Sequence, residues 1–154
     1  MPIEHSCDLT RGISYYLEPC LILGIYGKTS LTMVLQGNTD TAEDQSLESL
    51  KSFFNYALSV FGHPGTLELT VKKRAYAPLG GGEVRVVQRY AKTLKSIAMT
   101  DEGKIKRVRG LLTSAKVSPQ LTTRVIDKIR EIFNDYLPDV WIHADHYKKG
   151  QAGD

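Results

Sequence analysis

The apolar positions change period several times along this chain, and each change marks a predicted element. Between Arg11 and about Leu23, Ile13, Tyr16, Leu17, Cys20 and Leu21 recur at three- and four-residue intervals, the pattern of one helix face. Thr10 is placed to cap the start of that helix and Gly24 to end it. From Ser30 to Gln36, Leu31, Met33 and Leu35 follow the two-residue period of a strand. Thr41 and Asp44 have the spacing of a capping box. A helix then runs to about Phe61, with Leu47, Leu50, Phe54, Ala57, Leu58 and Phe61 on one face. Gly62, His63, Pro64 and Gly65 stop it. Strands follow from Thr66 to Arg74 and from Glu83 to Tyr90, with Leu67, Leu69, Val71, Val84 and Val86 alternating. This part reads α-β-α-β-β, with two helices available to cover one face of a sheet.

A second pattern begins after Thr100. Asp101, Glu102 and Gly103 form a turn, and Ile105 to Val117 reads as a long strand carrying basic residues at its start. Ser118 followed by Pro119 is a strong helix start, because Ser caps and Pro suits the first helical position. Leu121, Val125, Ile129, Ile132, Phe133 and Tyr136 carry the helix to Leu137, and Pro138 ends it. Val140, Ile142 and Ala144 alternate in a closing strand before a polar tail from Lys148 to Asp154. Three elements, β-α-β, are a small core to stand alone. Truncation is therefore expected.

Charge divides the chain as the periodicity does. Residues 1–63 hold three basic and seven acidic side chains, a balance of −4, whereas residues 64–154 hold seventeen and ten, a balance of +7. The second part therefore suits an anionic partner, with nucleic acid the usual one. An overall pI near 8.8 is only mildly basic and is also met by a solvated basic face. Cys7 and Cys20 are too few for a disulfide scaffold and too far apart for a zinc site, so both read as reduced thiols of an intracellular protein. No segment resembles a signal peptide, and no apolar run nears the roughly 18 residues of a membrane span.

The segment with the most to say is Arg74-Ala75-Tyr76-Ala77-Pro78-Leu79-Gly80-Gly81-Gly82-Glu83-Val84, between two predicted strands. A glycine triplet permits positive φ and close backbone approach. Its N–H groups could cradle a phosphate. It lacks the Lys and Ser/Thr of a P-loop, however, and leads into a strand, so a tight structural connection is favoured. Lys104, Lys106, Arg107 and Arg109 are candidate RNA contacts, but an extended strand sends Lys104 and Lys106 to one face and Arg107 and Arg109 to the other. By the same parity His143 and His146 diverge, which argues against a shared metal. No catalytic constellation is visible, and no metal or cofactor is expected.

Arg74 with Pro78, Gly80, Gly81, Gly82, Glu83 and Val84 resembles the glycine-rich signature of the RNA 3′-terminal phosphate cyclase family. The signature has Gly directly after the Arg, where this chain has Ala75. Further segments look like one branch of that family, the cyclase-like branch of eukaryotic ribosome assembly. They are Asp8 to Glu18 (DLTRGISYYLE), Leu94 to Gly110 with its TDEGKIKRVRG run, Val117 to Gln120, and Ala144-Asp145-His146. The resemblance spans nearly the whole chain.

It implies an α/β fold of two layers, built from a βαβαββ repeat of the cyclase fold into which a thioredoxin-like domain is inserted. Residues 1–100 would be one repeat lacking its first strand, and residues 101–154 the first part of the inserted domain. An internal piece of a longer chain is thus expected. Members with cyclase activity adenylylate a histidine in a C-terminal segment, and none of His5, His63, His143 and His146 falls at its position. The assembly branch lacks that histidine. It implies a non-catalytic ribosome biogenesis factor of the nucleus and nucleolus. Such a factor works in small-subunit pre-rRNA processing within the processome, beside a large nucleolar GTPase and pre-rRNA complexes. An active ATP-dependent RNA 3′-terminal phosphate cyclase is the alternative. A free-standing phosphate- or RNA-binding module is a third possibility.

Overall fold

The computed structural model describes residues 2–147, and among them three helices and six strands form a mixed α/β structure. The chain divides into two compact units, one ending at Ala98 and the other beginning at Met99. In the first, β1 (Ile3–Ser6), α1 (Ile13–Ile25), β2 (Leu31–Gly37), α2 (Leu47–Val60), β3 (Leu67–Lys73) and β4 (Gly82–Gln88) follow in order. The sheet order is β1-β2-β4-β3, with β1 parallel to β2 and the other pairs antiparallel. In the second unit, β5 (Val108–Ala115) and β6 (Val140–Tyr147) pair in parallel through α3 (Pro119–Asn134), since a parallel pair needs a crossover.

The two-residue period of the strands builds the core of the first unit. Met33, Leu35, Leu67, Leu69, Val84 and Val86 turn to one face. Ile13, Leu17 and Leu21 of α1 and Leu47, Leu50 and Phe54 of α2 close over them. This single-sided cover is the two-layer solution expected for two helices on an antiparallel-rich sheet. Two interior polar side chains fix how α1 lies. The amide of buried Gln88 donates to the Leu21 carbonyl at 2.8 Å, and buried Asn38 donates to the Leu9 carbonyl at 2.8 Å.

Four expectations change. The repeat does not lack its first strand: β1 is present, paired Ile3 to Met33 through Ser6 to Gln36. Its four side chains are all exposed, so no buried alternation marks it in the sequence. Helix α1 is capped at Gly12, and Gly24 lies inside it rather than ending it. A Cβ at Gly24 would stand 2.8 Å from Gln88 Oε1 and 3.0 Å from Leu31 Cδ2, so close approach is what the glycine provides. Helix α2 starts from Ser46, whose hydroxyl accepts from Ser49 N at 3.2 Å, while Thr41 and Asp44 lie in the preceding connection. Strand β5 begins at Val108, which leaves Lys104, Lys106 and Arg107 ahead of it. Ser118 and Pro119 open α3 as expected, with Ser118 Oγ accepting from Leu121 N.

At the outer edge of β3, Lys51 Nζ donates to the Leu69 carbonyl at 3.0 Å and Asn55 Nδ2 to the Leu67 carbonyl at 3.2 Å. A bulge between Val71 and Lys73 breaks the ladder there. Neither cysteine is in a disulfide; Cys7 is buried and its thiol is pushed up by that burial. No helix among the described residues is long and apolar enough to cross a membrane.

Leu17 is fully buried and Leu23, on the same helix, is largely exposed. Leu17→Ala is expected to cost about 2–5 kcal/mol in urea unfolding. Leu23→Ala should stay within about 0.5 kcal/mol.

Candidate functional site

Arg74 ends the β3 side of the glycine connection, and its side chain has no exposed surface. Taking a guanidinium out of water demands charged partners. Asp40, in the β2–α2 connection, accepts from Nη1 at 2.9 Å, and Glu48, in the first turn of α2, accepts from Nη1 and Nη2. The next residue is fastened through its backbone. Ala75 N donates to Thr39 Oγ1 at 3.0 Å, and the Ala75 carbonyl accepts from Thr39 N at 2.9 Å. The single Thr39 hydroxyl proton lies between two acceptors, Ala75 O at 2.8 Å and Asp40 Oδ2 at 2.7 Å.

The Ala77–Pro78 peptide is cis, and Gly80 and Gly81 take φ of 74° and 86°. A Cβ at Gly80 would stand 2.6 Å from Leu9 Cδ2. At Gly82 it would stand 2.6 Å from the Gly37 carbonyl, 2.8 Å from Thr39 Cγ2 and 3.1 Å from the Ala75 methyl. The triplet therefore lets the chain approach its own residues. The same geometry accounts for Ala75, whose buried methyl lies against a position with no side chain. Glu83, half-buried in β4, sits in register with Gln36 and Lys73.

A second ionic group lies at the start of α1. Arg11 Nε donates to Asp44 Oδ1 at 3.0 Å and Oδ2 at 3.1 Å, and Gly12 N donates to Oδ2 at 2.6 Å. The Arg11 guanidinium also lies 3.9 Å from the Tyr15 ring centroid, a cation–π distance. The Arg11 bonds, with those from Gly12 and Thr41, hold the Asp44 carboxyl down to about 2. A cavity of 240 Å³ opens here, lined by Arg11, Ser14, Tyr15, Glu18, Glu43 and Asp44. Its carboxylates disfavour a phosphate. Asp40, Glu48 and the Arg11–Asp44 pair escape sequence reading, because the partners lie 26 to 34 residues apart.

The basic candidates separate. Lys104, Lys106 and Arg107 stand exposed ahead of β5, and Arg109 alone lies within it. Arg109 Nη2 donates to Asp139 Oδ2 at 2.9 Å. That bond lowers the Asp139 pKa and raises that of Arg109, with the charge of Arg107 lowering Asp139 further. His143 Nε2 accepts from Trp141 Nε1 at 2.7 Å, whereas His146 Nδ1 lies 2.7 Å from Ser114 Oγ. The two imidazoles have separate partners, as their strand parity predicts.

A two-layer βαβαββ unit with a buried arginine at its glycine turn, followed by a β-α-β unit, sets the architecture. The model of the RNA 3′-terminal phosphate cyclase family matches residues 2–149, and the chain belongs to that family. Human and mouse proteins named RNA 3′-terminal phosphate cyclase-like protein are 43% and 42% identical to it over 152 residues. The rRNA processing protein rcl1 of Schizosaccharomyces pombe is 35% identical over 153 residues. Each alignment covers 98% of this chain but only 41–42% of the relative, so the chain spans about two fifths of these proteins' length.

Two outcomes are expected. Gly82→Ala places a methyl 2.6 Å from a backbone oxygen and should lower the melting temperature clearly; Gly110→Ala, whose nearest contact is 3.3 Å from a side chain, should lower it less. The Asp44 pKa lies below its unfolded value of 3.8, so its contribution is present above that value and lost as pH falls towards about 2. Denaturant titrations between pH 4 and 2 should therefore show a shallower loss of stability in Asp44→Asn than in the parent.

Proposed function

We propose that this chain is part of a ribosome biogenesis factor that acts without cyclase catalysis in small-subunit pre-rRNA processing. Its place is the nucleolar processome, with a large nucleolar GTPase and pre-rRNA complexes as partners. One observation carries the proposal: the family match covers residues 2–149, and the relatives aligned over that stretch are named either cyclase-like or rRNA processing proteins. The construction of the signature turn supports it. Arg74 is engaged by Asp40 and Glu48, and Arg11 by Asp44. Gly80 and Gly82 approach Leu9 and Gly37 of the same unit. The two ends of the turn, at Arg74, Ala75, Gly80 and Gly82, are buried in the unit, which suits a closure of the repeat. The second unit is the beginning of the thioredoxin-like insertion.

Incubation of the full-length protein with ATP labelled at the α-phosphate separates this proposal from an active cyclase. No stable protein–AMP adduct is expected under conditions where an active cyclase forms one. A stable adduct would overturn the non-catalytic assignment. Affinity purification from nucleoli should recover pre-rRNA complexes, and a protein absent from them would not be an assembly factor.

A further inference from the structure

Strand alternation gives the second unit two unlike faces. In the parallel register, Arg109 is opposite Trp141, Leu111 opposite His143 and Thr113 opposite Asp145. These residues share one face, and the intervening ones share the other. Ile142 is buried on the second face, and Ser114 there lies 3.4 Å from Thr122 of α3, so that face takes the helix. On the first face Arg109, Leu111, Trp141 and His143 are all exposed. Trp141 leaves 52% of its surface open.

Its orientation is nonetheless fixed. The indole donates to His143, the two rings lie 5.6 Å apart, and the Arg130 guanidinium lies 5.8 Å from the indole centroid. Positive charge leads into this face. Residues 101–109 contain four cations, Lys104, Lys106, Arg107 and Arg109, against two carboxylates, Asp101 and Glu102, and Arg109 is in register with Trp141. Of the nearby carboxylates, Asp139 is held by Arg109, and Asp145 lies at the far end of the face opposite Thr113.

We propose that this face is a stacking platform for unpaired bases of single-stranded RNA, with Trp141 receiving a base and the residue 104–109 cations following the backbone. An oriented aromatic plane beside guanidinium and ammonium groups matches the two parts of a nucleotide, a π-face and a phosphate. A duplex hides its base faces and offers the indole nothing. The choice of RNA rests on the ribosome-assembly assignment; the platform's geometry does not.

Trp141 is the only tryptophan in the chain, so its emission reports on this site alone. The 154-residue chain is titrated with a short oligouridylate, with duplex RNA of equal length and with heparin. Saturable quenching by the single strand, and by neither of the others, is expected. Trp141→Leu should weaken oligouridylate binding roughly tenfold, and Trp141→Phe should restore most of it. Lys104→Gln with Lys106→Gln should reduce the salt slope of binding by about 0.7 per cation while quenching persists. Binding without quenching, equal binding of Trp141→Leu, or quenching by duplex or heparin would each overturn the platform. If full-length Trp141→Leu still purifies with pre-rRNA complexes while oligouridylate leaves parent emission unchanged, the platform alone fails. Absence of the parent protein from those complexes instead removes the assembly assignment.

Discussion

The buried Arg74 guanidinium is the constraint around which the first unit is arranged. A cation without exposed surface is tolerable only if its partners arrive with it, and removing one leaves the charge stranded at greater cost than the pair is worth. Asp40 and Glu48 come from the chain between β2 and α2 and from the first turn of α2. The arginine therefore dictates where that connection runs and where the helix begins. Glu48 also lies near the positive end of the α2 dipole, which favours a carboxylate there. Thr39 then fastens the backbone at Ala75, and the glycines lay the returning strand against Gly37. One ion cluster thus fixes the start of a helix, the exit of a strand and the path of the signature turn.

Much of the fold was legible, because most elements follow one clean period. The stripe from Leu47 to Phe54 and the alternation at Leu67, Leu69, Val84 and Val86 are core positions as expected. What misled was chemistry with two uses. Thr41 and Asp44 have capping-box spacing, and Asp44 N does donate to Thr41 Oγ1 at 3.2 Å, but no helix begins there and the Asp44 carboxylate also holds Arg11 and the Gly12 amide. Gly24 looks like a helix stop and is instead a gap for Gln88. Strand β1 escaped because nothing covers its side chains, so only its pairing with β2 defines it. At the signature turn the residue types were visible and their partners were not, since ion pairs over such separations follow from the fold.

The most conspicuous segment of the sequence is a structural device. A glycine triplet beside an arginine suggests a phosphate cradle when met as a string, yet the arginine is held by carboxylates of the same unit, and Gly80 and Gly82 lie close against the unit's own residues. Function resides in sites and not in the scaffold that carries them. In the second unit, exposed basic and aromatic side chains share the open side of β5 and β6.

The two margins of the four-stranded sheet are not equivalent. At β3, α2 side chains occupy outward carbonyls, a bulge interrupts the ladder, and Lys72 and Lys73 add charge, all recognised means of blunting a sheet edge. Among the described residues, β1 pairs without a bulge, and only its four-residue length and Glu4 blunt that edge. The sheet consequently has a direction of growth. Further strand pairing is obstructed on one flank and less so on the other, so a chain that extends this layer meets less resistance alongside β1.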